Sequence, residues 1–328
     1  MGHPSLFRKI ETLSDKLRYD SVIKQISKEF HVKNLLIVLI AASAFSCKKA
    51  NVDATYSADP VAESGQQVGD AMASIDESGG NNTGSIASRD IKSYEQAFAR
   101  LAGGDISVTQ AALLRLLPQA QATACSATSF SNCNAGQRAR TLDGCTTFGG
   151  GVMSGQVSLN FSGTGAGTCT IPMANDAVLR VPNFTLTGLR GATFSVSGAG
   201  QTLTRVGAGA FSFSNAGVRR SFVTPKGDTI LDISTSTTSP ISVTGNSRNT
   251  RTVSGGALNV VNNLTGVSCS LTPSAVSWTS SCNCPTSGNW AGSCSDSSSF
   301  NVAFSSTCGQ ATVTKGSEVS TITMDRCN

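Results

Sequence analysis

Histidine is nearly missing from this chain. Of its 328 residues only two are histidine, His3 and His31, so everything from residue 32 onward lacks an imidazole. That excludes from this portion a Ser-His-Asp triad, a Cys-His pair and any histidine-ligated metal. Charge is scarce as well: Asp, Glu, Lys and Arg make up 14% of the chain, against about 25% in ordinary soluble domains. The net charge of +5 is unevenly placed, and from residue 47 onward eighteen basic residues meet sixteen acidic ones. So even a balance draws neither nucleic acid nor an acidic membrane by charge alone. The apolar run from Leu35 to Ala42 has eight residues, well short of the about 20 that cross a bilayer as a helix. What the chain has instead is glycine, 33 residues of it, with much serine and threonine, a composition that suits an extracellular β-protein.

The cysteines number eleven, an odd count. One of them, Cys47, closes the stretch LLIVLIAASAFSCKKA: Lys33, an apolar run, small residues, then Ala44-Phe45-Ser46-Cys47. This is the three-part layout of an export signal, and its end resembles the lipobox of bacterial lipoproteins, with Ala44 where leucine is usual. The resemblance implies a diacylglyceryl thioether on Cys47, cleavage before it, and a cell-envelope or surface location, with the outer membrane preferred to the inner. Residues 1–46 are then a signal region that takes both histidines with it. Residues 1–31 are polar and mixed in charge, unlike a compact leader, so translation is read as starting at Val32.

Without Cys47, ten cysteines remain: Cys125, Cys133, Cys145, Cys169, Cys269, Cys282, Cys284, Cys294, Cys308 and Cys327. An even number in an oxidising envelope predicts up to five disulfides. Their grouping, four before residue 170 and six from 269 onward, predicts two bridges in the first group and three in the second.

Residues 47–87 carry few large apolar side chains and read as a lipidated flexible tether. In SRDIKSYEQAFARLAGG, Ile91, Tyr94, Phe98 and Leu101 recur at helical spacing, and SVTQAALLRLLPQA extends a second helix from Ser107 to Leu117 before Pro118. Residues 88–120 are therefore expected as a small helical hairpin. From 121 to 328 apolar residues alternate in short runs: Val157/Leu159/Phe161, Phe184/Leu186, Phe194/Val196, Phe211/Phe213, Ile241/Val243, Phe300/Val302/Phe304 and Val319 to Met324. Gly, Asn, Ser and Pro separate them. The expected fold is mainly β, a disulfide-stapled antiparallel sandwich or barrel-like domain preceded by the hairpin.

Candidate chemistry is thin. Asp228 and Asp232 share a strand face, but four residues separate them by about 13 Å, beyond the about 5–9.5 Å of glycosidase pairs. Cys282 and Cys284 are too close in sequence to bridge each other, and are read as structural. Ten arginines beyond residue 121 suit anionic ligands, yet they are scattered and read mainly as solvated strand positions. Trp278 and Trp290 flank the cysteine cluster and are expected to pack there. No catalytic residue, cofactor or metal site is assigned, and nucleic acid is not an expected partner. The phrases VPNFTLTGLRGATFSVSG, NVVNNLTGVSC and CNCPTSGNWAGSC resemble a group of uncharacterised lipoproteins of predatory bacteria, a resemblance that implies the class and no site residues. The expected function is a lipid-anchored envelope or surface protein with a binding, adhesion-like β-domain, not an enzyme. Its partners would be the membrane, through the lipid, and an anionic envelope polymer or surface glycan. A carboxylate-dependent hydrolase of envelope polysaccharide and a purely structural envelope component are the alternatives.

Overall fold

The computed structural model describes residues 56–79, 86–102, 124–125, 128–147 and 150–327. The predicted signal region, Cys47 and the second predicted helix (107–117) lie outside these residues.

Two helices come first, α1 (Pro60–Gly79) and α2 (Ile86–Leu101). Asp59 starts α1: its Oδ1 accepts from the backbone N–H of Val61 at 2.9 Å and of Ala62 at 3.2 Å, while Pro60 holds the first helical position, where no N–H is needed. In α2 the predicted stripe packs inward, with Tyr94, Phe98 and Leu101 all buried. The strands follow as β1 (Gln137–Thr141), β2 (Cys145–Thr146), β3 (Val152–Ser162), β4 (Ala177–Thr187), β5 (Thr193–Gly207), β6 (Ala210–Val223), β7 (Thr229–Ser239), β8 (Ile241–Thr244), β9 (Thr252–Ser254), β10 (Ala257–Asn262), β11 (Val267–Trp278), β12 (Pro285–Cys294), β13 (Ser299–Phe304), β14 (Gln310–Lys315) and β15 (Glu318–Thr323).

All fifteen belong to one antiparallel sheet. Its main path runs β1-β3-β4-β5-β6-β7-β10-β11-β12-β13-β14-β15, with β2 on β3, and β8 and β9 bridging β6 to β11. Most of the alternation seen in sequence is the inward face: Phe194, Phe213, Phe222, Leu271, Phe300 and Val313 are among the most deeply buried side chains, whereas Val319 on β15 is exposed.

The sheet is rolled. Helix α1 touches β5, β6, β7 and β10 and also β14 and β15. Laid flat, the eight steps from β5 to β15 would separate those strands by about 38 Å, several times the about 10 Å width of a helix. Both parts can meet one helix only if the sheet curls round it, the barrel-like option of the expected fold.

This corrects the tether. From Val61 to Ile75 every α1 side chain position except Ala62 is buried, so residues 60–79 form the axis of the domain. Low apolar content does not mark a tether here, because side chains buried with partners need not be hydrophobic. The polar side chains of Glu63, Gln66, Asp70 and Ser74 find partners outside the helix, and its small residues let the sheet come close. A Cβ on Gly65 would stand 3.1 Å from Ile322 Cδ1 and 3.3 Å from Val313 Cγ1, with Val313 Cγ2 nearer still. On Gly69 it would meet Met324 Sδ at 2.9 Å.

Five disulfides pair the ten cysteines in the predicted two groups: Cys125–Cys145, Cys133–Cys169, Cys269–Cys294, Cys282–Cys308 and Cys284–Cys327. Cys269 and Cys294 sit opposite each other on β11 and β12. Cys282 and Cys284 tie the β11–β12 connection to the β13–β14 turn and to the chain end after β15.

Candidate functional site, a buried charge chain beside the last strand

Side chains that alternate along a strand must place every second residue inside, whatever its charge. On β6, Arg220 is in phase with Val218 and Phe222, both buried, and its own side chain is fully buried. Arg140, Arg180, Arg251 and Arg326 are buried too. Half of the ten arginines assigned to solvated strand positions therefore point into the protein, and this is the second correction.

Buried charges need partners, and two of these arginines, Arg220 and Arg326, find them on α1. Arg220 donates from Nη1 to Asp70 Oδ2 at 3.0 Å and from Nη2 to Asp325 Oδ2 at 3.2 Å. Arg100, on α2, donates from Nη2 to the same Asp325 oxygen at 2.9 Å and from Nη1 to Glu63 Oε1. The result is an alternating chain, Glu63–Arg100–Asp325–Arg220–Asp70, joining α1, α2, β6 and the segment after β15. Arg326 adds bonds to the Asp70 carbonyl at 3.2 Å and to Ser74 Oγ at 2.8 Å. Arg220 also lies over the Phe194 ring, 5.2 Å from its centre. Burial pushes the Asp70 carboxyl above its ordinary range, against the pull of Arg220 and Arg326. Burial opposes the charge on Arg220, but the Asp70 and Asp325 carboxylates outweigh it and hold that guanidinium protonated.

General acid–base work needs a carboxyl free to trade a proton with a substrate. Here Glu63, Asp70 and Asp325 are each bonded to an arginine, so the chain acts as a fastening. Two of its members, Arg100 and Asp325, line a cavity of about 380 Å³ together with Ala62, Gln66, Gln96 and the last residues of β15. A second cavity of about 190 Å³ lies where Val61 meets Val260, Val267 and Phe300, with Lys315 and Glu318 at its lining. Among the described residues no three His, Cys, Asp or Glu side chains stand together as metal ligands. No protein family, curated protein or solved structure matches the chain.

The residues singled out from sequence do not converge. Asp232 lies on the outside of β7, where Arg219 grips it through two bonds, one of them from Nε at 2.7 Å, and Asn263 Nδ2 donates at 2.8 Å. The Arg219 hydrogen bonds hold its carboxyl below the usual range, against burial. Asp228 is in the preceding turn, its backbone N–H bonded to Thr224 Oγ1. Trp278 and Trp290 are buried; Trp278 carries Arg251 at 5.8 Å from its ring and donates to the Asn283 carbonyl. Glu63, Asp70, Arg100 and Asp325 were missed. Helical spacing at Val61, Val68, Met72 and Ile75, behind an Asp-Pro start, was the available signal for α1.

Proposed function

We propose that the protein is a lipid-anchored component of a bacterial envelope, held at Cys47, whose rolled β-domain has a binding rather than a catalytic role. The observation that carries this reading is the pairing of the cysteines. Ten of the eleven are joined in five disulfides, which leaves Cys47 alone without a disulfide role and suits an oxidising compartment. Helix α1 begins at Pro60, so the thirteen residues from Cys47 to Asp59 span at most about 47 Å, and an anchored body would stand close to its bilayer. Stable anchoring takes more than one acyl chain, which the lipoprotein resemblance supplies, and Lys48 and Lys49 add attraction to anionic headgroups. The arginine-bound state of Glu63, Asp70 and Asp325 supports binding over the carboxylate hydrolase. A surface-exposed anionic polymer or glycan is the proposed ligand class.

Labelled palmitate should enter the full chain and not Cys47→Ala; label retained by that variant overturns the anchor. The ligand class is tested by a binding screen of anionic and neutral envelope polymers against the oxidised chain from residue 48 onward, because a chain beginning at 121 lacks α1. Absence of binding to every polymer overturns that part.

A further inference from the structure

A sheet that does not close ends in two edge strands, and an exposed edge is a template for another chain unless it is covered, charged or bulged. The two edges here differ. Along β1 the preceding loop takes the neighbouring place: Ser131 donates its N–H to the Ala139 carbonyl at 2.8 Å, and its Oγ accepts from the Ala139 N–H at 3.0 Å. Among the described residues β15 pairs with β14 only.

The register shows which groups are left over. Met324 donates its N–H to the Gly309 carbonyl at 2.6 Å, and Thr323, Thr321 and Val319 face Gln310, Thr312 and Thr314. In an antiparallel ladder hydrogen-bonded and open pairs alternate, so Ser320 and Ile322 bond to β14 while the N–H and C=O groups of Val319, Thr321 and Thr323 point away from the sheet. At one end Gln66 shows what this edge accepts. Its side-chain amide donates to the Thr323 carbonyl at 2.8 Å and accepts from the Asp325 N–H at 2.9 Å, the two bonds a parallel neighbouring strand would make.

The cavity of about 380 Å³ lies along the edge, with Gln96 and Arg100 of α2 contributing to its lining. From Val319 to Thr323 the edge is about 13 Å long, enough for four or five residues. Charge selects the occupant. The Glu63 and Asp325 side chains are 1% and 5% exposed, whereas Arg100 is 37% exposed, so an incoming chain meets a cation.

We propose that β15 is a strand-addition site for an extended, carboxylate-bearing peptide segment of a partner protein. Its main chain bonds to the outward groups of Val319 and Thr321, and an Asp or Glu side chain meets Arg100. The site goes beyond the anchored-protein reading and does not depend on Cys47.

The test uses the oxidised chain from residue 48 and a rhodamine-labelled peptide, acetyl-VTVDVTV, read by fluorescence polarisation. Saturable binding is expected, weakened about tenfold or more in Thr321→Pro, because one lost main-chain bond to the edge is worth about that factor. The Thr321 N–H serves no bond to β14, so proline there spares the ladder. Thr321→Ala, which keeps the N–H, should bind as the parent does. A peptide N-methylated at alternate residues, which probes the same bonds without altering the protein, should not bind. No saturable binding at millimolar peptide, or equal binding by the N-methylated peptide, overturns the proposal. So does a dimer, seen by sedimentation, that Thr321→Pro dissolves, since that outcome assigns the edge to a second copy of this chain.

Discussion

Replacing Gly65 with alanine is a test in which two physical rules give opposite signs. In an exposed helix interior, glycine to alanine stabilises by about 1 kcal/mol, because alanine has less backbone freedom to lose. Gly65 is packed against β14 and β15, where the new methyl would meet Val313 and Ile322 at or inside contact distance. Val313 is fully buried and branched at Cβ, so it cannot swing clear by rotation. Overpacking of this kind costs about 1–3 kcal/mol. With two of its methyl groups in the way, Val313 puts the site toward the upper end of that range. Subtracting the helix gain leaves a net loss of about 1–2 kcal/mol, or about 2–8 °C in melting temperature for a domain of this size. The assay is urea unfolding with disulfides intact, followed by the fluorescence of Trp278 and Trp290, both buried in the fold. Gly69→Ala should cost less, because its nearest neighbour is the adaptable Met324. Val313→Ala in the Gly65→Ala background should restore part of the loss, a coupling that additive sites would not show. A Gly65→Ala variant about 1 kcal/mol more stable than the parent would refute the tight seating of α1 in the rolled sheet.

Three further outcomes follow from the same packing. Asp325→Ala leaves the buried Arg220 guanidinium with Asp70 as its remaining carboxylate, and should cost about 3–5 kcal/mol in urea unfolding, as breaking a buried pair does. Removing the Cys284–Cys327 bridge by Cys284→Ser with Cys327→Ser frees a 43-residue separation, and should lower stability by about 4 kcal/mol on a chain-entropy estimate. On acidification Asp232, whose carboxyl Arg219 holds below its unfolded value, keeps its contribution above that unfolded value and loses it as pH falls toward the folded one. Asp232→Asn should therefore flatten the acid side of the stability profile by a small amount, as befits a pair with an exposed arginine; an unchanged acid limb would count against the pair.

Much of the β-fold was legible residue by residue. Phe300, Val302 and Phe304 alternate because one face of β13 is core, and Tyr94, Phe98 and Leu101 recur at helical spacing because one stripe of α2 is buried. Even the buried arginine could have been read: Arg220 is in phase with Val218 and Phe222, so it had to point inward, while its neighbour Arg219 had to point out. Helix α1 was not read, since Gly65 and Gly69 disfavour a helix standing alone and Glu63, Gln66, Gln67 and Asp70 suggest solvent. Its helicity comes from the surrounding sheet, a tertiary effect that local propensity does not contain. Nor could the charge chain be seen, because Arg220 lies 150 residues from Asp70 and 105 from Asp325. The pairing within each cysteine group needed the strand order, which places Cys269 opposite Cys294.

The seating of α1 also imposes an order of events. Its residues are made before the strands that receive them, yet Gln66 bonds to residues 257 and 259 positions later, and Asp70 and Ser74 bind Arg326, 256 and 252 positions later. The helix can therefore dock fully only after residues 323–326 have emerged, and folding driven by such distant contacts is slow. During that wait a greasy central helix would seek other apolar surfaces and aggregate. A segment rich in Gly, Ser, Gln and acidic residues waits safely in water. The polarity that disguises the axis of this domain as a linker is what lets a first-made segment become the last one buried.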